Sequence, residues 1–249
     1  MFDFHTHILP EIDDGSRSIA ESLAMLEELR NQGVSGIAAT PHFYANYMSP
    51  DSFFAERQAA WEKIESNRSP DSPEIRLGAE VQYFEGLHRF DRIEDFCIEG
   101  TELLLVEMPV CTWTTRMISS IVDINNRACV KVLLAHIERY LCFRNQKAID
   151  QLLQCGVFMQ ASTGFFMEKR RKAMRMLREG KIHFLGSDSH NMTSRKPDVA
   201  SALKILAREN GGEWIRKLEQ REAVILHETK THRDDLHSAC AADGSVSVF

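Results

Sequence analysis

Seven short apolar runs, interleaved with segments of helical period, set the strongest limit on how this chain of 249 residues folds. They are Phe2 to His5, Val34 to Ala39, Ile75 to Val81, Glu102 to Met108, Val130 to His136, Val157 to Ala161 and His183 to Gly186. Strands that alternate with helices are joined by long crossovers, and such crossovers give parallel sheets with right-handed connections. Between the strands, Ser18-Ile19-Ala20-Glu21 reads as a capping box ahead of an apolar stripe of Leu23, Leu26 and Leu29 that stops before Gly33. Ser49-Pro50 opens a second helix, with Phe53, Phe54 and Trp61 available for its buried face. Further helices are expected over Met117 to Ala128, Gln146 to Gln154 and Asp198 to Glu209, in the charged stretch between the last two strands, and from about Glu213. Seven parallel strands suggest a closed or nearly closed α/β barrel, for which about 250 residues make one domain. An open doubly wound sheet is the alternative, but no GxGxxG or GxxxxGK[ST] loop supports it. From about Thr229 the periodicity fades, so the reading is one domain over 1–228 and a disordered tail over 229–249.

Composition removes several classes of function. The net charge of -6 and the lack of a basic surface run beyond Glu168-Lys169-Arg170-Arg171-Lys172 argue against nucleic-acid binding, and that run reads as a solvated helix face. No apolar segment reaches the roughly 20 residues that span a bilayer. Met1-Phe2-Asp3-Phe4-His5 lacks the basic-then-apolar pattern of a secretory signal. The six cysteines, Cys97, Cys111, Cys129, Cys142, Cys155 and Cys240, form no CxxC pair and read as reduced core thiols. A cytoplasmic location follows as the expectation. The sequence leaves the oligomeric state open.

The chemistry-bearing residues gather at strand ends. His5 and His7 follow the first strand, and His42 the second. Glu80, Glu107 and His136 close the next three, and Asp188 and His190 follow the last. A parallel barrel brings these ends to one face. Alternate residues of a strand point the same way, so His5 and His7 can reach one ion, and so can Asp188 and His190. Glu80 and Glu107 lie in apolar strands, where a carboxylate is costly unless it is paired or coordinating. Imidazole and carboxylate donors suit Mn2+, Fe2+ or Zn2+, and eight ligands suit two or three ions with a bridging carboxylate. Taken singly, an HxH is often accidental, His42 could be a turn residue and His136 a core histidine; their joint placement argues for metal.

These residues resemble the polymerase-and-histidinol-phosphatase superfamily. Phe4-His5-Thr6-His7-Ile8-Leu9-Pro10 and Ile12-Asp13-Asp14-Gly15 are similar to the opening of its manganese-dependent bacterial tyrosine-protein phosphatase branch, associated with capsule and exopolysaccharide synthesis. Ala39-Thr40-Pro41-His42, Leu77-Gly78-Ala79-Glu80, Val106-Glu107-Met108-Pro109, Ala135-His136-Ile137-Glu138-Arg139-Tyr140 and Gly186-Ser187-Asp188-Ser189-His190-Asn191 continue it in order, to about Ala207. Glu11 stands where that branch usually has glycine, and Ile137 where it often has proline. The resemblance implies a distorted (β/α)7 TIM-like barrel and a trinuclear manganese centre on His5, His7, His42, Glu80, Glu107, His136, Asp188 and His190. It implies that Asp14 lies near the metals as a further ligand or proton donor, and that Arg139 and Arg195 hold phosphate. It also implies a phosphotyrosine protein as substrate, a bacterial tyrosine kinase above all.

The expected chemistry is metal-assisted hydrolysis of a phosphomonoester. The ions lower the pKa of bound water, toward ~7 in the best zinc cases, and guanidinium groups offset charge on the phosphate. A tyrosine leaving group, with a pKa of about 10, needs less acid assistance than an alkyl alcohol. Cys111 to Arg116 is one residue short of the CxxxxxR loop of thiolate phosphatases and lacks its glycines, so that route is rejected. Two rivals remain: a phosphatase of the same superfamily acting on histidinol phosphate, and a non-catalytic barrel serving as a binding module. The second should have lost ligands, and none is missing.

Overall fold

The structure is a computed structural model, and it describes residues 1–226. The expected tail at 229–249, and the end of the expected domain at 228, lie outside the described residues. Among the described residues nine strands run in parallel: β1 (Phe2–Thr6), β2 (Gly36–Ala39), β3 (His42–Phe43), β4 (Glu74–Leu77), β5 (Glu80–Gln82), β6 (Leu103–Glu107), β7 (Lys131–Leu134), β8 (Phe158–Ser162) and β9 (Phe184–Gly186). Their order is β1-β2-β4 in one sheet and β3-β5-β6-β7-β8-β9 in the other. The run predicted at 34–39 holds β2 and closes before Thr40-Pro41 as expected, with β3 added beyond it, and the run at 75–81 is broken. Pro41 cannot donate to a ladder and separates β3 from β2, and Gly78-Ala79 separate β5 from β4. The result is a curled parallel sheet. Its first and last strands meet where Asp188 N donates to the His5 carbonyl (2.9 Å) and His7 N to the Ser189 carbonyl (2.9 Å).

Helices α1 (Ile19–Asn31), α2 (Pro50–Glu65), α3 (Thr115–Asn125), α4 (Gln146–Gln154), α5 (Thr163–Glu168), α6 (Arg170–Arg178) and α7 (Val199–Arg208) cover the strands, and a last helical stretch runs over 213–226. Ser18 caps α1 by accepting from Glu21 N at 3.2 Å, but the Glu21 side chain returns to Arg17 N rather than to Ser18. The buried face of α1 is Ser22, Met25, Leu26 and Leu29, so Leu26 and Leu29 of the predicted stripe are buried and Leu23 is half-buried, and Ser22 Oγ bonds Ser16 Oγ inside. Ser49 and Pro50 start α2 as expected, and Phe53, Ala60 and Ile64 are its buried residues. The sequence showed no sign of α5, a six-residue helix whose Phe165 and Phe166 are buried.

The basic run is solvent-facing, and Arg170 and Arg178 both bond Glu209. The cysteines depart from expectation. Cys111, Cys129, Cys142 and Cys155 are exposed free thiols rather than core residues, and Cys97 is half-buried. Among the described residues no helix is long and apolar enough to cross a membrane.

Candidate metal centre

The cluster is built from the ends of β1 and β6, the first residues of β3 and β5, and the turns that follow β7 and β9. Register sets its middle, because His42 on β3 pairs with Glu80 on β5. Glu80 is 1% exposed, and its Oε2 lies 3.1 Å from His5 Nε2, 3.2 Å from His7 Nε2 and 3.1 Å from His42 Nδ1. His5 Nε2 and His7 Nε2 are 3.0 Å apart, as alternation along β1 predicted. Glu80 Oε1 lies 2.9 Å from His136 Nε2, and Glu107 Oε1 lies 3.4 Å from the same nitrogen. Asp188 Oδ1 stands 3.6 Å from both His5 and His7. His190 Nε2 and His42 Nε2 reach Asp14 Oδ1 at 3.4 and 3.5 Å.

All eight residues expected to bind metal therefore converge, with Asp14 beside them. Three overlapping groups could hold ions: His5, His7 and Glu80; His42, Glu80 and Glu107; and His7, Asp14, His42 and His190. The donor set fits such ions on a second ground. Glu80 Oε2, His42 Nδ1 and His190 Nε2 are buried, and no described residue gives them a hydrogen bond. Buried lone pairs aimed at one another are costly unless a cation lies between them.

Two ligand positions have unusual backbones. The strand predicted to end on His136 ends at Leu134. His136 itself is left-handed (φ 31°) and opens the 3-10 turn Ile137–Tyr140. Asp188 is left-handed too (φ 53°). Close approach is secured by glycine: a Cβ at Gly186 would stand 2.5 Å from His5 Cβ, and one at Gly15 would stand 2.3 Å from the His7 carbonyl oxygen.

The residues behind the cluster were not anticipated. Asp13 Oδ2 lies 2.7 Å from His7 Nδ1 and accepts from His42 N at 3.0 Å. Gln160, fully buried on β8, accepts from His136 N (2.6 Å), and its Oε1 lies 3.4 Å from His5 Nδ1. Tyr140 OH accepts from Met108 N (2.9 Å) and lies 3.3 Å from His136 Nδ1. A polar residue inside the apolar run Val157 to Ala161 was the available signal for Gln160. Such partners fix tautomer and ring orientation, leaving the inward nitrogen free. Gln160→Leu is therefore expected to weaken metal affinity about 10–100-fold without loss of fold. Titration against a competing chelator reads this, and unchanged affinity would show that Gln160 does not orient His5.

Charge at the centre is tightly balanced. Burial alone would lower His7, but Asp13 and Glu80 outweigh it and raise its pKa to about 10. Burial also works against His136, which Glu107 and Glu80 raise to about 9. Burial lowers His42, and burial with the nearby His7 lowers His190 to about 4. Against the opposing effect of burial, His7 holds Asp13 at about 2, and the imidazoles hold Glu80 well below the usual carboxylate range. The carboxylates stay anionic in a buried place, which is the electrostatic demand of a cation site.

The two arginines stand at the rim. Arg139 Nη2 and Arg195 Nη2 both meet Asp188 Oδ2, the second at 2.7 Å, and Arg195 Nη1 is 3.8 Å from Asp14. They line a pocket of about 420 Å3 together with Lys196 and Ser187. Arg116, from the rejected thiolate motif, is exposed and paired with Glu85.

Fold and site together define an α/β protein whose curled parallel sheet carries a cluster of metal-competent histidines and carboxylates at its strand ends. Residues 1–226 match the family described as capsular polysaccharide synthesis, CpsB/CapC, and the chain belongs to that family. The match runs past Ala207, where the motif resemblance ended. Tyrosine-protein phosphatase CpsB of Streptococcus pneumoniae is 29% identical over 231 residues, covering 88% of this chain and 94% of the relative. Tyrosine-protein phosphatase YwqE of Bacillus subtilis (strain 168) is 28% identical over 239 residues, covering 91% of each. The fold superposes with a TM-score of 0.78 on a solved structure from work on YwqE of Bacillus subtilis and CpsB of Streptococcus pneumoniae, described as unique metal-dependent tyrosine phosphatases. That match is 24% identical and covers 91% of this chain and 94% of the other.

Proposed function

We propose that this chain is a metal-dependent phosphatase that hydrolyses protein phosphotyrosine. The observation that carries the reading is the set of three overlapping ligand groups with Arg139 and Arg195 converging on Asp188 at their edge. The names of the relatives support the substrate class. In this reading the sheet closes as a distorted (β/α)7 barrel, supported by the hydrogen bonds of β1 with Asp188 and Ser189. His5, His7, His42, Glu80, Glu107, His136, Asp188 and His190 hold two or three Mn2+ ions, and Asp14 completes the group nearest the rim. Oxygen and imidazole donors without thiolate suit manganese.

Bound ions supply Lewis acidity and a nucleophile at neutral pH. The protein supplies the rest. Arg139 and Arg195 present forked donors to the non-bridging phosphate oxygens and stabilise the charge that grows there. Asp188, which both guanidinium groups now touch, keeps them aimed at the cluster. Asp13, Gln160 and Tyr140 hold three imidazoles in place. The substrate in the cell is a phosphotyrosine protein, a bacterial tyrosine kinase of capsule or exopolysaccharide synthesis, which puts the enzyme in the cytoplasm. The family description supports this, and the free thiols suit a reducing compartment.

Turnover of a phosphotyrosine peptide and of histidinol phosphate by the Mn2+-reconstituted protein tests the proposal. The peptide is expected to be the better substrate in kcat/KM. A preference for histidinol phosphate would move the assignment to a small-molecule phosphatase, and inactivity on both would leave a binding module.

A further inference from the structure

A second pocket shares residues with the cluster. It has a volume of about 360 Å3, and Ile12, Tyr44, Tyr47 and Met48 line it together with Asp13, Asp14 and His42. We propose that this pocket receives the aromatic ring of the ester whose phosphate the cluster holds. The inference rests on the phosphatase reading and adds to it the element that selects aryl over alkyl esters.

Three observations support it. First, the pocket is continuous with the reacting centre, because His42 and Asp14 belong both to its wall and to a ligand group. A ring placed there lies against two members of a ligand group. Second, the pocket that Arg139, Arg195 and Lys196 line also carries Glu138, Glu168, Asp188 and Asp198, and its apolar lining is Phe165 and Met167. Its arginines offer forked donors to the anionic oxygens of a phosphate. The ring of the ester then has Ile12, Tyr44, Tyr47 and Met48 beside the same ligand groups. Third, the aromatic wall is built and left open. Tyr44 stacks on His42 with ring centroids 5.1 Å apart, and Tyr47 meets Tyr44 edge-on at 6.2 Å and 88°. The turn that holds both rings has Tyr47 N and Met48 N donating to the Tyr44 carbonyl, at 2.9 and 3.2 Å. Tyr47 is nonetheless 87% exposed, a large apolar surface left uncovered at the mouth of a polar site. Exposed aromatic surface beside a site is characteristic of a place where a ligand docks.

The test compares the full-length, Mn2+-loaded wild type with Tyr47→Ala and Tyr47→Phe. Tyr47 is the choice because its exposure makes misfolding of the variants improbable on physical grounds. One arm measures kcat/KM on phosphotyrosine and on phosphoserine; the other measures calorimetric affinity for phenylphosphonate and methylphosphonate. Tyr47→Ala is expected to reduce the aryl-over-alkyl preference about three- to tenfold in both arms, through KM rather than kcat. Tyr47→Phe keeps the ring and should keep the preference. An unchanged preference in Tyr47→Ala, in turnover and in affinity alike, would overturn the proposal. If the wild type hydrolyses neither ester, the phosphatase reading fails on its own. The phosphonate arm then decides the pocket: a preference for the phenyl compound lost in Tyr47→Ala supports an aryl site, and equal affinities reject it.

Discussion

Glu80→Ala is expected to abolish turnover and strip most of the metal. Its Oε2 is the point at which three imidazole nitrogens meet, at 3.1, 3.2 and 3.1 Å, and it belongs to two of the three ligand groups. Removing it opens a gap among the nitrogens: Asp188 Oδ1 faces His5 and His7 from 3.6 Å, and Glu107 is directed at His136 and Arg139. His5→Ala and His136→Ala should act in the same direction. Chelation of the wild type should copy the variants and Mn2+ should restore activity. Chelation should also lower the melting temperature, since ions bound to the folded state at about 1,000 times their Kd stabilise it by roughly 4 kcal/mol. Elemental analysis, turnover and thermal melting read the three effects. Full activity in chelated, metal-free protein would remove the metal from the reaction.

Arg139→Ala and Arg195→Ala are expected to separate phosphate binding from metal binding. Each guanidinium is partly exposed and touches Asp188 from the rim, and neither offers a lone pair to a cation. Loss of one such donor in a transition state costs about 2–4 kcal/mol, or roughly thirtyfold to a thousandfold in rate. Metal content should remain at the wild-type level. Lysine should rescue in part, because it brings the charge without the fork. Wild-type kcat and KM on phosphotyrosine in either alanine variant would take that arginine out of the chemistry. Loss of metal instead would show that its pairing with Asp188 is what holds the ligand in place.

Much of this was legible in the sequence, and the misses have physical causes. The parallel strands followed from apolar runs, because strands buried on both faces have to be apolar. The gathering of the eight candidate ligands followed from where His, Asp and Glu fall along those runs. The interruption at Gly78 was missed because the run was read through it, and β3 was missed because two residues are too few to show a period. Helix α5 was missed because six residues beginning Thr163-Gly164 are too few to show a period. Asp13 and Asp14 are neighbours, and no periodicity tells which faces inward. The fold decides, since Asp13 bends back to accept from Gly15 N at 2.9 Å and reaches His7, while Asp14 is left 64% exposed. Gln160 was hidden because its role depends on three strands that are distant in sequence.

The left-handed backbones of His136 and Asp188 carry an evolutionary consequence. Each holds a non-glycine residue where the chain resists one, at a cost of order 1–3 kcal/mol. Glycine at either position would relax the backbone while deleting a side chain of the cluster. Selection on thermal robustness alone would therefore draw both positions toward glycine, and the chain would drift into a sturdier protein with an impaired centre. Histidine at 136 and aspartate at 188 thus place the demands of the cluster above the ease of the backbone that carries them.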